Sequence, residues 1–184
     1  MDKQFEAILK TEYNFVFDRL REKALKENST VQELNERFDD IRKKAMINSY
    51  FKYGPMRKNH GEYKCMDATK NILLRLDKYL TSRNTEFLAD IANFAMIEYT
   101  YPSNSEARTG DSNTEVYQYT NIKESIEYLL TTYKVTDNKA LLIDIANIAM
   151  IEFTNPSFEN ASYQETFTDG CELYGFGINQ LTNQ

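Results

Sequence analysis

The sequence predicts an all-α fold, a helical bundle built on a tandem-duplicated helix pair, with an N-terminal helical extension and an irregular C-terminal tail. Two observations carry this prediction. Apolar residues recur three or four positions apart along most of the chain, which is the spacing of amphipathic helices. In the second half, one stretch of sequence also recurs at a fixed offset, which indicates an internal repeat.

Turn-forming residues divide the chain into six regions. Gly54 and Pro55 end the N-terminal helices, because glycine accepts a left-handed helix end and proline cannot continue a helix. Pro102 and Pro156 end the two copies of the helix pair. The predicted regions are an N-terminal two-helix region at 1–53, a basic loop at 54–65, a first helix pair at 66–102, a linker at 103–119, a second helix pair at 120–156 and a tail at 157–184.

The helices follow from apolar spacing and from polar breaks between them. Arg83 and Asn84 interrupt the first pair, and a break at residues 136–138 interrupts the second. The tail mixes aromatic residues with polar ones and glycines, so we expect it to be irregular and to pack only in part. The predicted helices cover residues 2–27, about 31–51, about 66–82, about 85–101, about 121–134 and a last segment that ends at Thr154.

The repeated unit has a constant offset of 54 residues. Asp90–Tyr99 reads DIANFAMIEY and Asp144–Phe153 reads DIANIAMIEF, and Pro102 recurs as Pro156 without a gap. Two copies are too few for a solenoid, so we expect the helix pairs to pack face to face as a four-helix bundle with approximate two-fold symmetry. Small side chains permit the copied helices to approach closely at Ala92, Ala95, Ala146 and Ala149.

Composition excludes several classes of protein. The chain has 184 residues, of which 41% are hydrophobic, enough for a globular core, and no apolar run has the length of a membrane span. With no signal-peptide pattern at the N-terminus, we expect the protein in the cytoplasm of a bacterial host cell. Cys65 and Cys171 lack the spacing of a zinc site, and His60 is the one histidine of the chain. The sequence therefore predicts no metal site, no cofactor and no catalytic triad.

Charge is unevenly distributed along the chain. Residues 41–83 hold eleven lysines and arginines against three acidic residues, whereas the chain from residue 101 onward holds four basic and twelve acidic residues. The basic part could contact nucleic acid, and the acidic part could imitate its charge. Two ordinary solvated faces are the alternative.

Three polar positions recur in both copies of the apolar helix: Asp90, Asn93 and Glu98, and Asp144, Asn147 and Glu152. The two glutamates fall within the apolar sector of their helices, where a carboxylate needs a partner. One interpretation is structural, with the glutamates accepting hydrogen bonds from tyrosines, arginines or helix-terminal N–H groups and the other four bonding neighbouring loops. The other is that the carboxylates converge near the two-fold axis and hold Mg²⁺.

A helical fold with inward-facing carboxylates is similar to that of the MazG-like nucleotide pyrophosphohydrolases, whose acidic helix motifs hold Mg²⁺ against a triphosphate. The pattern here departs from that family's paired glutamates. Glu86 lies four residues before Asp90, and Ala140 takes the place of Glu86 in the second copy. The likeness therefore extends to architecture and argues weakly for function.

Charged residues outside the repeated positions are the candidate partner contacts. The basic loop mixes cations with tyrosines, a combination that suits phosphate contacts and base stacking, although an ordinary solvated loop is equally compatible. The acidic half offers exposed carboxylates that could occupy a cationic channel. The candidates for nucleic-acid or partner binding are Lys52, Arg57, Lys58, His60, Lys64, Glu115, Glu124 and Glu127.

The segment Asn84–Tyr99, followed by Pro102 and a polar stretch, resembles a family of small proteins from phage and mobile elements. The resemblance covers about residues 66–115 and the second copy. The whole chain also looks like a type II-A anti-CRISPR, which implies a non-enzymatic inhibitor that binds the RNA-guided type II Cas effector, with or without guide RNA. A nucleotide pyrophosphohydrolase of the MazG-like kind and a nucleic-acid-binding accessory protein are the alternatives.

Overall fold

The computed structural model describes residues 36–110 and 121–166. These residues form five α-helices and one π-helical turn. Two isolated β-bridges also pair short extended segments among the described residues. The all-α prediction is confirmed. The predicted helix at 2–27 and the tail beyond residue 166 lie outside the described residues. The helices are α1 (Glu36–Tyr53), α2 (Ala68–Ser82), α3 (Glu86–Thr100), α4 (Ile122–Thr136) and α5 (Ala140–Thr154), and the π-helical turn is Arg57–Glu62.

The helix ends follow the turn signals of the sequence. Asp67 caps α2 by accepting a hydrogen bond from the backbone N–H of Lys70 at 2.9 Å, and Asn121 caps α4 through its own side chain. Arg83 and Asp137, which end α2 and α4, both adopt the left-handed conformation, with φ of 63° and 53°. The breaks that separate the helices of each pair are therefore tight left-handed turns.

The core lies between α3 and α5, the two copies of the apolar helix. These helices pack directly on one another, while α2 packs mainly on α3 and α4 mainly on α5. Alanine at the contact permits this approach, since Ala92, Ala95, Ala146 and Ala149 are all fully buried. No helix of the described residues is long and apolar enough to cross a membrane.

Residues 54 apart make equivalent contacts in opposite units. The backbone carbonyl of Arg108 in the linker accepts a hydrogen bond from Lys139 N at 2.9 Å, and the backbone carbonyl of Ser162 in the tail accepts one from Thr85 N at 3.0 Å. Each segment that leaves one helix pair thus pairs with the break of the other, forming the bridges Arg108 to Asn138 and Ser162 to Asn84. The two helix pairs therefore contact each other in equivalent ways. The tandem duplication itself stays a prediction from the sequence.

Helix α1 breaks this approximate symmetry because it packs mainly on α3. The buried guanidinium of Arg42 donates from Nε to Asn93 Oδ1 at 3.2 Å, and Asn93 Nδ2 donates back to the carbonyl of Arg42 at 3.1 Å. Arg75 is also buried and pairs with Asp90 at 3.1 Å. These two arginines therefore belong to the interior, and the basic segment of the sequence is less of a surface feature than its composition indicates.

Candidate functional site

The carboxylate of Glu98 lies at the centre of a buried polar network. Its Oε1 accepts hydrogen bonds from Ser103 N at 2.8 Å and from Tyr133 Oη at 2.7 Å. Its Oε2 accepts from Ser103 Oγ and from His60 Nε2, both at 2.9 Å. These four donors match the lone-pair positions of a carboxylate, so Glu98 is fully satisfied although it has no exposed surface.

His60 faces an acceptor at each ring nitrogen. Its Nδ1 lies 2.8 Å from the backbone carbonyl of Met66, and its Nε2 lies against the carboxylate of Glu98. Because a carbonyl and an ionised carboxylate both accept, both nitrogens must donate, which requires the imidazolium form. A charged histidine thus ties the segment before α2 to the middle of the bundle.

Electrostatics support the same protonation states. Burial lowers the pKa of His60, but the hydrogen bonds to Glu98 and Met66 and the charge of Glu98 outweigh it, so the pKa is raised above 6.5. Burial raises the pKa of Glu98, yet hydrogen bonds from His60, Tyr133 and Ser103 bring it below 4.5. Burial and Glu98 together raise the pKa of Tyr133, so its hydroxyl stays protonated.

Glu152, 54 residues after Glu98, is held in the same way. Its Oε1 accepts from Tyr79 Oη at 2.5 Å and from Ser157 N at 2.9 Å, and its Oε2 accepts from Ser157 Oγ at 2.7 Å. The tyrosine comes from the opposite helix pair in both cases, and the serine follows the same helix. The geometry therefore agrees with the structural interpretation of the repeated glutamates, because both accept hydrogen bonds from a tyrosine and from a backbone N–H group beyond the helix end.

The other repeated positions differ between the two copies. Asp90 and Asn93 bond the helical arginines Arg75 and Arg42, which corrects the expectation that they bond loops. They also border a small, mainly apolar cavity of about 50 Å³ between α1 and α3. Asp144 and Asn147, their counterparts in α5, are half-buried. The repeated polar sequence therefore serves different contacts on the two sides of the bundle.

The residues around Glu98 do not fit a magnesium ion. A polar cavity of about 280 Å³ lies beside Glu98, and Asp67 and Asp137 are among its lining residues. However, Asp67 caps α2, Asp137 accepts a hydrogen bond from Asn104 at 2.6 Å, and Glu98 has four donors. Among the described residues, no three His, Cys, Asp or Glu side chains are grouped so that they could hold a metal ion.

The predicted basic loop is an ordered turn, which we call the basic turn and define as residues 51–64. Gly54, with φ of 80°, donates its N–H to Tyr50 O at 2.8 Å and ends α1. The π-helical turn follows, and Asn59 Nδ2 donates to Tyr53 O at 2.6 Å. The segment is thus partly helical, and not a loop, because its backbone groups are paired internally.

Four cations of the basic turn lie on the surface, whereas its histidine does not. Lys52, Arg57, Lys58 and Lys64 are exposed, and Arg57 forms an ion pair with Glu62 at 2.7 Å. His60 is 1% exposed, which corrects its assignment as a nucleic-acid or partner contact. Its burial against Glu98 fixes the basic turn on the bundle, so its role there is to position the exposed cations.

The acidic candidates are distributed differently. Glu124 and Glu127 are exposed on α4, where Lys123 and Lys134 balance their charge and Lys123 lies 4.0 Å from Glu127. Glu115 falls outside the described residues. Helix α4 therefore lacks the single-sign surface that an imitation of nucleic acid requires.

Comparisons of the chain with protein-family models, with curated proteins and with solved structures find no match.

Sequence reasoning missed the central contact of the site, His60 with Glu98. The two residues are 38 positions apart, and nothing in the local pattern links them. The tyrosine partners could have been identified from the sequence, because Tyr79 and Tyr133 recur at the same 54-residue offset as the glutamates that they bond. His60 has no such signal, because Thr114 stands at the equivalent position of the second copy.

Proposed function

We propose that this protein is a phage or mobile-element inhibitor of a bacterial defence nuclease, an anti-CRISPR that binds the RNA-guided type II Cas effector and blocks DNA binding or cleavage. The basic turn is the observation that supports this proposal best. It presents exposed cations from a segment that internal hydrogen bonds and the buried His60 hold in place. A preorganised basic surface suits an effector complex whose working parts are nucleic-acid strands.

The use of the buried carboxylates also favours a binding protein over an enzyme. Glu98 and Glu152 are the most deeply buried acids of the described chain, and their oxygens accept hydrogen bonds that join the two helix pairs. A carboxylate with all its lone pairs engaged is poorly placed to take up a proton or a metal ion. What this fold offers a partner is its surface.

Between the two charged surfaces, the basic turn is the better candidate contact. Its four exposed cations are opposed by Glu62 alone among the residues of the turn, whereas the two exposed lysines of α4 balance Glu124 and Glu127. Charge of one sign attracts phosphate over several ångströms, while a balanced helix does not. The charge distribution therefore supports contact with the partner through the basic turn.

The test is cleavage of target DNA by a type II Cas nuclease, with and without this protein, varying its order of addition relative to guide RNA. Dose-dependent inhibition is the expected result, and the order effect identifies the blocked step. The Lys58→Gln, Lys64→Gln double variant should lose potency, whereas the matched Lys123→Gln, Lys134→Gln variant on α4 should retain it. Full activity of several such nucleases in the presence of the protein would reject the proposal.

A variant with Glu124 and Glu127 changed to lysine tests the acidic surface in the same assay. Loss of inhibition in that variant, with an unchanged thermal melt, would move the contact from the basic turn to α4. Retained inhibition would support the basic turn and exclude nucleic-acid imitation by this helix.

A magnesium-dependent nucleotide pyrophosphohydrolase is the alternative from the sequence, although the carboxylates that border the cavity beside Glu98 are already engaged in hydrogen bonds. Release of pyrophosphate from nucleoside triphosphates in the presence of Mg²⁺ would support it. Because hydrogen bonds to Glu98 hold the bundle together, loss of turnover in Glu98→Gln supports the enzyme only where circular dichroism shows that the variant folds.

A further inference from the structure

Two aromatic side chains of the basic turn lie mostly in solvent, and each precedes a lysine in the sequence. Phe51 is 75% exposed and Tyr63 is 62% exposed, and they stand near the two ends of the turn. Single exposed apolar residues are common on soluble proteins, and Val135 at 79% is another. What distinguishes the two rings is their position among exposed cations.

The charge of the basic turn is positive after internal pairing. Arg57 is engaged with Glu62, while Lys52, Lys58 and Lys64 are exposed. Lys52 extends over the ring of Tyr53, with its Nζ 5.0 Å from the ring centroid. Negative charge together with flat apolar faces would therefore complement this surface.

The backbone of the basic turn is fixed before any ligand arrives. Tyr63 N donates to Lys58 O at 2.7 Å, and Cys65 N donates to Asn59 O at 2.8 Å. Asn59 also reaches back to Tyr53 at the end of α1, so the segments that carry the two rings are connected through one residue. Since this order exists already, binding need not supply the free energy of folding the turn.

We propose that the basic turn binds single-stranded nucleic acid, with Lys52, Lys58 and Lys64 contacting phosphates and with Phe51 and Tyr63 stacking on bases. Single strands expose the faces of their bases, whereas a duplex hides them between neighbouring pairs. The inference rests on the proposed function and deepens it, because it names a guide or displaced strand as the part of the effector complex that is contacted.

Fluorescence anisotropy of the full chain with labelled oligo-U and oligo-dT of about 12 nucleotides is the direct test, since such a length covers one small single-strand site. Binding to a single strand, with weaker binding to a duplex of the same length, is expected. Three phosphate contacts give a slope of about −2 for log K against log salt concentration. Oligo-U and oligo-dT together show whether the site prefers RNA or DNA.

Variants separate stacking from charge. Phe51→Ala with Tyr63→Ala should weaken single-strand binding by roughly tenfold or more with little change of the salt slope. Lys58→Gln with Lys64→Gln removes two of the three phosphate contacts, so the slope should become shallower by about 1.4, to about −0.7. Tyr128→Ala is the matched aromatic control, since that ring is 54% exposed on α4 and should leave binding unchanged. Equal affinity for duplex, an equal loss in Tyr128→Ala or no binding at all would overturn the inference.

The cleavage assay distinguishes failure of this inference from failure of the proposed function. If the protein binds single strands but leaves every tested nuclease active, base stacking by Phe51 and Tyr63 is supported and the proposed inhibitor function is rejected. Full inhibition by the Phe51→Ala, Tyr63→Ala variant would show that these rings do not contact a strand of the effector complex, which overturns the inference and leaves the inhibitor intact. If those substitutions abolish binding to the effector without guide RNA, the partner of the turn is protein, which also overturns the inference.

Discussion

Tyr79 donates a hydrogen bond across the bundle to the buried carboxylate of Glu152, at 2.5 Å. The equivalent bond in the opposite direction joins Tyr133 to Glu98 at 2.7 Å. Each helix pair thus supplies the hydroxyl that satisfies the buried acid of the other. A carboxylate inside an apolar core is stabilised only by such donors, so this exchange makes the two pairs depend on each other.

Removing either hydroxyl should therefore destabilise the whole bundle. Tyr79→Phe and Tyr133→Phe are each expected to reduce the free energy of unfolding by about 1.5–3 kcal/mol, because each loses a hydrogen bond to a charged group. Urea unfolding followed by circular dichroism measures both. Tyr128→Phe, at an exposed position, should change stability by less than about 0.5 kcal/mol. A loss in one variant alone would show that the two contacts are not equivalent.

Neutralising Glu98 should be more damaging than neutralising an exposed acid. In Glu98→Gln the charge of His60 has no buried counterion, and breaking such a pair destabilises by roughly 3 kcal/mol or more. The same variant should lower the pKa of His60, which NMR follows directly. Glu127→Gln is the control, with an expected change below about 0.5 kcal/mol. Equal midpoints for the two variants would contradict the assigned role of Glu98.

Stability should depend on pH through His60 and Glu98. The pKa of His60 is raised in the folded state, so its contribution is complete below 6.5 and is lost as pH rises through the folded pKa. The pKa of Glu98 is lowered, so its contribution is complete above 4.5 and is lost as pH falls through the folded pKa. We expect the pair to stabilise the fold most between these two values.

His60→Gln should remove the loss of stability on the alkaline side. Because the chain has one histidine, a single imidazole resonance reports its titration without assignment. Lys64 opposes protonation of the ring, so Lys64→Gln should raise the pKa of His60 further. A measured pKa at or below 6.5 in the folded protein would show that one of the two ring contacts is absent.

The repeat offers a matched pair at Asn93 and Asn147. Asn93→Ala leaves the buried guanidinium of Arg42 without its amide partner and is expected to destabilise by about 1–3 kcal/mol. Asn147→Ala, at the equivalent half-buried position, should change stability by less than about 0.5 kcal/mol. Thermal and urea melts of both variants decide this. Similar losses of stability in the two variants would show that the contact of Asn93 with Arg42 on α1 does not make it more important than Asn147.

The helices and their ends were largely predictable, because they depend on neighbours in sequence. Apolar spacing predicts α2 through α5, and polar residues between the helices predict the breaks at Arg83 and Asp137. The sequence predicts a loop for the basic segment, whereas Arg57–Glu62 form a π-helical turn. Its order depends on Asn59 and on the buried His60, whose partners are not periodic in the sequence.

Local patterns are enough to predict an all-α fold, the constant offset of the two helix pairs and the presence of two acids on apolar faces. The partners of those acids, the burial of Arg42 and Arg75 and the place of His60 inside the bundle depend on how distant segments pack. Helix formation and capping are local, whereas the protonation and the partners of a buried polar group are set by residues that meet only when distant helices pack.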